Sequence, residues 1–394
     1  MDTRTYLSWF FLIIFLQSAA IIAEPLDKIE KLQSASLIYV NANHQAILSK
    51  NPQQPLIPAS TVKLLTALMA VETWGLNYRF KTEFYYQEDD QVLWIKGLAD
   101  PLLISEEIDL IVETLSKQGI DEINSIGIDE SYFSQDILLE GRSNSNNPYD
   151  APVSALAANF NSISLKIDNG KVTSQEKQTP LTNLAKQLAS PLPNGKHRIN
   201  LGLQEYGSRY FAELLLVKLR SIGVNAGSEI KKGLIPTTAS LLFVHNNSHT
   251  LEQVITAMLE YSNNFIASQL YLNFGVEKYG APASTLKSKQ AVTEYISKKF
   301  KWEDYQLLDG AGLSRKNKIS AVQLIDVLKA FGSYVYLMPT QNKNIRAKTG
   351  TLTGVSTYAG YIKRDEDWAM FAFMANQPLE YRFREKLAEQ LSRY

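Results

Sequence analysis

Apolar and polar positions along this 394-residue chain alternate in short runs near both ends and follow helical spacing between them. Ser36 to Asn41 and Gln45 to Ser49 read as two strands around the turn Asn41 to His44. Near the C-terminus, Ile345 to Leu352, Ser356 to Lys363 and Trp368 to Ala375 are rich in aromatic and apolar residues. The charged turn Arg364 to Asp367 joins the last two as a hairpin, and Leu379 to Tyr394 closes as an amphipathic helix. Strands at both ends with helical segments between them predict an α/β sandwich whose sheet combines N- and C-terminal strands.

The texture between these ends changes. From about Lys81 to Gly195 the chain offers short strand-like runs at Phe84 to Tyr86, Val92 to Lys96 and Ile163 to Ile167, with a helical stretch at Glu106 to Gln118. Polar or Pro-rich patches at Arg142 to Pro148 and Pro191 to Gly195 punctuate it. This predicts an accessory domain at 81–195 inserted into a discontinuous core of 24–80 and 196–394. Helices resume at Ser208 to Ile222, Leu251 to Glu260 and Asn264 to Phe274. At the N-terminus Arg4, the apolar run Trp9 to Leu16 and the small residues Ser18, Ala19, Ala20 and Ala23 read as a signal peptide over 1–23. The run is too short to span a bilayer. An exported, periplasmic protein with at most peripheral membrane association is expected.

Lysine plus arginine (40) equals aspartate plus glutamate (40), so no global field favours nucleic acid or an anionic surface. The absence of cysteine excludes disulfides, thiolate metal sites, cysteine nucleophiles and a lipoprotein anchor. The histidines His44, His197, His245 and His249 have no metal-ligand or triad spacing and read as surface-loop residues. No metal or other cofactor is expected. Acidic runs such as Glu106-Glu107-Ile108-Asp109 read as solvated helix starts.

Two near-copies of one hexapeptide carry the chemistry: Pro58-Ala59-Ser60-Thr61-Val62-Lys63 and Pro282-Ala283-Ser284-Thr285-Leu286-Lys287. Residues i and i+3 share a helix face, so each lysine amine could reach its serine hydroxyl. The first copy leads into Leu64 to Val71, apolar almost all round; the second leads into Ser288 to Tyr295, which has one apolar stripe and a charged face. A buried helix start disfavours the lysine ammonium form and favours an alkoxide at the positive end of the dipole. Ser60 is therefore the expected nucleophile and Lys63 its base.

Such an enzyme needs further groups on the opposite wall. Ser262-Asn263-Asn264 supplies S-x-N, and Lys348-Thr349-Gly350 supplies K-T-G, the only one in the chain. Serine motif, S-x-N and K-T-G in that order match the set found in β-lactamases and penicillin-binding proteins. Two other readings stand beside Ser262: a plain helix cap for Asn264 to Phe274, and Tyr261-Ser262-Asn263 as a Y-x-N element. Asp309 reads as the cap of a turn at Gly310 and Gly312.

Four stretches make the chain resemble the D-alanyl-D-alanine carboxypeptidase/endopeptidases, the class C low-molecular-mass penicillin-binding proteins. They are Ile57 to Ala67, Tyr261 to Asn264, Asp309 to Arg315 and Arg346 to Gly354, with Pro152 to Leu156 and Asn159 to Asn161 similar inside the insertion. One departure is Ala99 in Gly97-Leu98-Ala99-Asp100-Pro101, where the family would have glycine. The resemblance implies a β-lactamase/penicillin-binding-protein-like core, an antiparallel sheet flanked by helices plus a helical subdomain, with the inserted domain set between the first two motifs. It implies acyl transfer on peptidoglycan stem peptides, with β-lactam antibiotics as mimics. By position in the family motifs, Ser262 would relay a proton, and Asn264 would hold the substrate amide. Lys348 and Thr349 would engage the terminal carboxylate, Gly350 would let substrate backbone approach, and Thr351 would add an oxyanion N–H beside that of Ser60. The competing functions are a serine β-lactamase and a non-catalytic murein-binding protein. The first would need an E-x-x-L-N loop, which is absent, and the second should have lost the serine or lysine.

Overall fold

The computed structural model describes residues 25–135 and 137–393; the leader expected at 1–23 lies outside them. Among the described residues no helix is long and apolar enough to cross a membrane. Six antiparallel strands form the main sheet, in the order Thr340–Asn342, Ile345–Leu352, Val355–Arg364, Asp367–Ala375, Ala35–Val40, Ala46–Lys50. The two chain ends meet at its centre, where Ala35 pairs with Ala375 and Val40 with Met370. Ala35–Val40 is buried along its whole length, because both faces of the sheet are covered.

On one face the helices Pro25–Ile29 and Phe383–Leu391 cover Leu37, Tyr39, Phe371 and Phe373. On the other, Lys63–Trp74, Leu251–Glu260, Asn264–Tyr279 and Ala321–Phe331 pack into the largest cluster of buried side chains. Lys63–Trp74 lies at the centre of that cluster, with Lys63 through Val71 all buried. This all-round burial is the one expected from its sequence.

The insertion is larger than the 81–195 reading. The strands Lys81–Gln87, Val92–Gly97, Glu122–Asp129, Asn225–Lys232 and Ser240–Asn246 form one five-stranded sheet, so the excursion runs to Asn246. Its order is Ser240–Asn246, Lys81–Gln87, Val92–Gly97, Glu122–Asp129, Asn225–Lys232, and the last three run parallel. Gly195, the expected boundary, instead opens the strand Gly195–Asn200, which pairs with Ser162–Asp168 in a separate three-stranded sheet. The helix Glu205–Ser221 packs between the two sheets and shares one apolar cluster with both. Gly195 looked terminal because Asn225–Lys232 is a largely polar edge strand, held by backbone pairing rather than by an apolar pattern.

Two local expectations are also corrected. His245 and Glu107 are buried rather than solvated, at 7% and 1% exposure. Glu107 accepts hydrogen bonds from His245 Nε2 and Ser248 N, each at 2.9 Å, and from the Ser248 hydroxyl. Burial alone would raise the Glu107 carboxyl, but the bonds from His245 and Ser248 outweigh it and hold it at about 2. The pair ties the helix Ser105–Lys117 to the strand on which the chain leaves the insertion. Glu107→Ala should therefore lower stability by roughly 2–4 kcal/mol in chemical denaturation, the cost of leaving buried donors unpaired. Because the folded carboxyl is depressed, this contribution is full above the ordinary value of 4.5 and is lost as pH falls toward 2.

Candidate active site

The first hexapeptide folds as a 3-10 turn, Ala59–Val62, running straight into the helix Lys63–Trp74. Ala59 holds a left-handed φ of 47°, and Gly312 packs so closely on it that a Cβ there would sit 1.9 Å from the Ala59 carbonyl oxygen. The strained Ala59 backbone is thus held in place by its surroundings. The second hexapeptide is structural. Ser284 caps the helix Thr285–Lys299 by accepting from Lys287 N, and Lys287 Nζ turns away to the carbonyls of Gly280 and Pro282.

Lys63 is fully buried, with Nζ 3.0 Å from Ser60 Oγ, 2.7 Å from Asn264 Oδ1 and 2.6 Å from the Ala311 carbonyl oxygen. The Asn264 amide is oriented by its other end, where Nδ2 donates to the Tyr149 carbonyl, so Oδ1 must face the lysine. Two of the three neighbours of Nζ are therefore acceptors only. A neutral amine gives one N–H to each and keeps its lone pair for the Ser60 hydroxyl. Burial pushes the Lys63 amine well below its ordinary value, the nearby Lys348 charge pushes it further, and Asp309 opposes them.

Asp309 does more than cap a turn. Its oxygens accept the backbone N–H groups of Ala311, Gly312, Leu313 and Ser314 and the Asn317 side chain, which fixes the loop that delivers the Ala311 carbonyl to Lys63.

On the facing wall, Asn263 caps the helix Asn264–Tyr279 by accepting from Ile266 N. That leaves the Ser262 hydroxyl free of capping, and it accepts from Lys348 Nζ at 2.8 Å. With Asn263 engaged and Tyr261 80% exposed, the Y-x-N reading loses both its members. Lys348 also donates to the Thr349 carbonyl at 2.8 Å; burial, then the Arg384 charge, lowers its amine to about 8 against the pull of Glu260. Thr349 pairs across the sheet with Tyr358, and Gly350 with Thr357. A Cβ at Gly350 would lie 2.2 Å from Thr357 Oγ1 and 2.9 Å from both Pro58 O and Ser60 N, so only glycine lets this strand lie against the turn that carries Ser60. Thr351, Ser60, Ser262 and Asn264 line one cleft of about 790 Å³.

All eight expected residues thus come together in the cleft or its immediate walls, but several partners were not foreseen. Glu140, Gly141, Ser143, Tyr149 and Asp150 belong to the insertion and line the same cleft, so the insertion touches the chemical site and not only remote parts of a substrate. Arg315 and Lys316 line the cleft beside the insertion, and Lys316 pairs with Glu140. The Ala311 carbonyl had no signal of its own, since any residue supplies one. Ala99 adopts a φ of 57°, the conformation glycine takes freely, while its carbonyl accepts from Asn273. Among the described residues no group of His, Cys, Asp and Glu could hold a metal ion.

The model of the D-Ala-D-Ala carboxypeptidase 3 (S13) family matches residues 17–190, 191–335 and 335–393. The chain is 22% identical over 455 residues to a D-alanyl-D-alanine carboxypeptidase from Actinomadura sp. (strain R39), across 95% of this chain and 84% of that protein. It is 23% identical over 401 residues to D-alanyl-D-alanine carboxypeptidase DacB of Haemophilus influenzae, across 85% of this chain and 84% of that one. Among solved structures, penicillin binding protein 4 from Haemophilus influenzae aligns with a TM-score of 0.78 at 22% identity, covering 95% of this chain and 100% of that one. The peptidoglycan endopeptidase Bd3459 from Bdellovibrio bacteriovorus aligns at 0.52 and 17%, covering 91% and 90%. The fold is that of the penicillin-binding proteins, and with the family model matched along nearly its whole length the chain belongs to the D-Ala-D-Ala carboxypeptidase 3 (S13) family.

Proposed function

We propose that this protein is a serine D-Ala-D-Ala carboxypeptidase acting on peptidoglycan stem peptides, and that β-lactams acylate the same serine. The observation that carries the reading is the buried Lys63 amine, whose two acceptor-only neighbours leave its lone pair to Ser60. Neutral Lys63 takes the Ser60 proton as Oγ attacks the carbonyl between the two D-alanines. The oxyanion lies between the N–H groups of Ser60 and Thr351. Collapse breaks the C–N bond, and the departing amine takes up a proton through Ser262. Water then attacks the acyl-enzyme, and the shortened peptide leaves. Lys348, with Thr349 beside it, attracts the terminal carboxylate and keeps Lys63 neutral by like-charge repulsion.

Cleavage of a cross-link uses the same bond and the same acyl-enzyme, so endopeptidase activity fits the site equally; the similar Bdellovibrio proteins are predatory endopeptidases. The cleft walls contributed by the insertion suit a polymeric substrate, and the leader-like segment 1–23 fits a periplasmic enzyme.

Intact mass after penicillin treatment tests the reading. A stable adduct is expected on the wild type and on Ser284→Ala, and none on Ser60→Ala. Rapid turnover of the penicillin would indicate a β-lactamase, and no adduct on any form a binding protein. The acylation rate should also be bell-shaped in pH. It rises as Lys63 loses its proton, because the base must be neutral, and falls as Lys348 loses its own near pH 8, because the carboxylate needs a cation. A rate that climbs steadily past about pH 9 would show that the Lys348 charge is not used.

A further inference from the structure

The C-terminal helix Phe383–Leu391 brings a cation that no motif names to the strand Ile345–Leu352, beside the cleft. Arg384 Nη1 donates to the Gly350 carbonyl at 2.9 Å and to Thr351 Oγ1 at 2.8 Å, while Nε donates to Glu385 Oε1 at 3.0 Å. The Arg384 side chain is 18% exposed and reaches the strand from a helix packed on its neighbour, Val355–Arg364. Its two acceptors sit where the sheet meets the nucleophile: Gly350 lies against Pro58 and Ser60, and Thr351 lines the cleft.

We propose that Arg384 is a positioning residue for acylation, clamping the Gly350–Thr351 peptide so that its N–H and the Thr351 hydroxyl both point at the substrate. The inference rests on the acyl-transfer reading above. The Gly350 carbonyl and the Thr351 N–H belong to one planar trans peptide and point in opposite directions. Holding the carbonyl toward Arg384 therefore holds the N–H away from it, and a charge-assisted bond at the carbonyl also polarises the N–H. A hydroxyl has one proton and two lone pairs. With the arginine occupying a lone pair of Thr351 Oγ1, the proton is left to donate to an anion in the cleft. Arginine suits this task because its charge is not lost at any working pH.

The same charge acts on Lys348. The charged groups facing that amine are Lys63 from the buried helix, Glu260 from the end of Leu251–Glu260, and Arg384, with Glu385 beside it on the C-terminal helix. Removing Arg384 removes a repulsion, so Lys348 should hold its proton to higher pH.

The test compares acylation by benzylpenicillin and by its methyl ester, across pH, in Arg384→Ala, Arg384→Lys and the exposed-site control Lys386→Ala. Thermal unfolding reports the fold, and Arg384→Met, which keeps the aliphatic stem, replaces the alanine variant if that one unfolds. In Arg384→Ala, benzylpenicillin acylation should fall about tenfold or more, since a misaimed donor forfeits part of what a removed one costs. The ester, lacking the anion, should fall less, and the falling limb should move above pH 8. Arg384→Lys should keep that limb in place and recover part of the rate, and Lys386→Ala should match the wild type. A folded Arg384→Ala with the limb unmoved, or with both probes slowed equally, would overturn the proposal. Failure of the wild type to acylate at Ser60 would sink it through the reading beneath it.

Discussion

A buried amine whose neighbours accept but cannot donate has its lone pair left for one partner, and Lys63 is such an amine. Each feature around it serves that condition. The helix Lys63–Trp74 is enclosed on every side from Lys63 to Val71, which removes the water that would stabilise an ammonium. Asp309 organises the loop that presents the Ala311 carbonyl, and Asn263 caps the next helix so that Asn264 can turn its oxygen inward. Lys348 adds a second positive charge on the far wall. The cost of burying this group is carried by the largest apolar cluster in the molecule, which surrounds the same helix.

One helix carries a dense set of contacts between the insertion and this centre. Asn264–Tyr279 starts at the cleft, and further along it Gln269 donates to the Ser154 carbonyl, Asn273 donates to the Ala99 carbonyl, and Tyr132 donates to Asn273. Ala99, Phe133, Val153 and Ala155 pack with Leu272 from the same helix. Tyr149 completes the link by accepting from Asn264 itself. A shift of the insertion would therefore be felt at the amide that orients the base, which makes it part of the active site's frame as well as its wall.

Sequence alone determined the elements whose burial shows as pattern. The five long strands of the main sheet, the helix after Ser60 and the pairing of the chain's two ends were all readable, because apolar runs and hairpin turns are local signals. So was the contrast between the two serine–lysine pairs, since the residues after Lys63 and after Lys287 differ in how much of the helix they bury. What tertiary structure decided were matters of contact between distant segments. Asn225–Lys232 is a strand because Glu122–Asp129 offers it an edge, and its polar sequence does not announce that. Glu107 and His245 are buried because each satisfies the other across 138 positions of sequence. The carbonyl of Ala311 and the guanidinium of Arg384 act at the site only through where the fold delivers them. Chemistry carried by residue type can be read along a chain, but chemistry carried by a backbone atom or a long-range ion depends on geometry that exists only once the chain has folded.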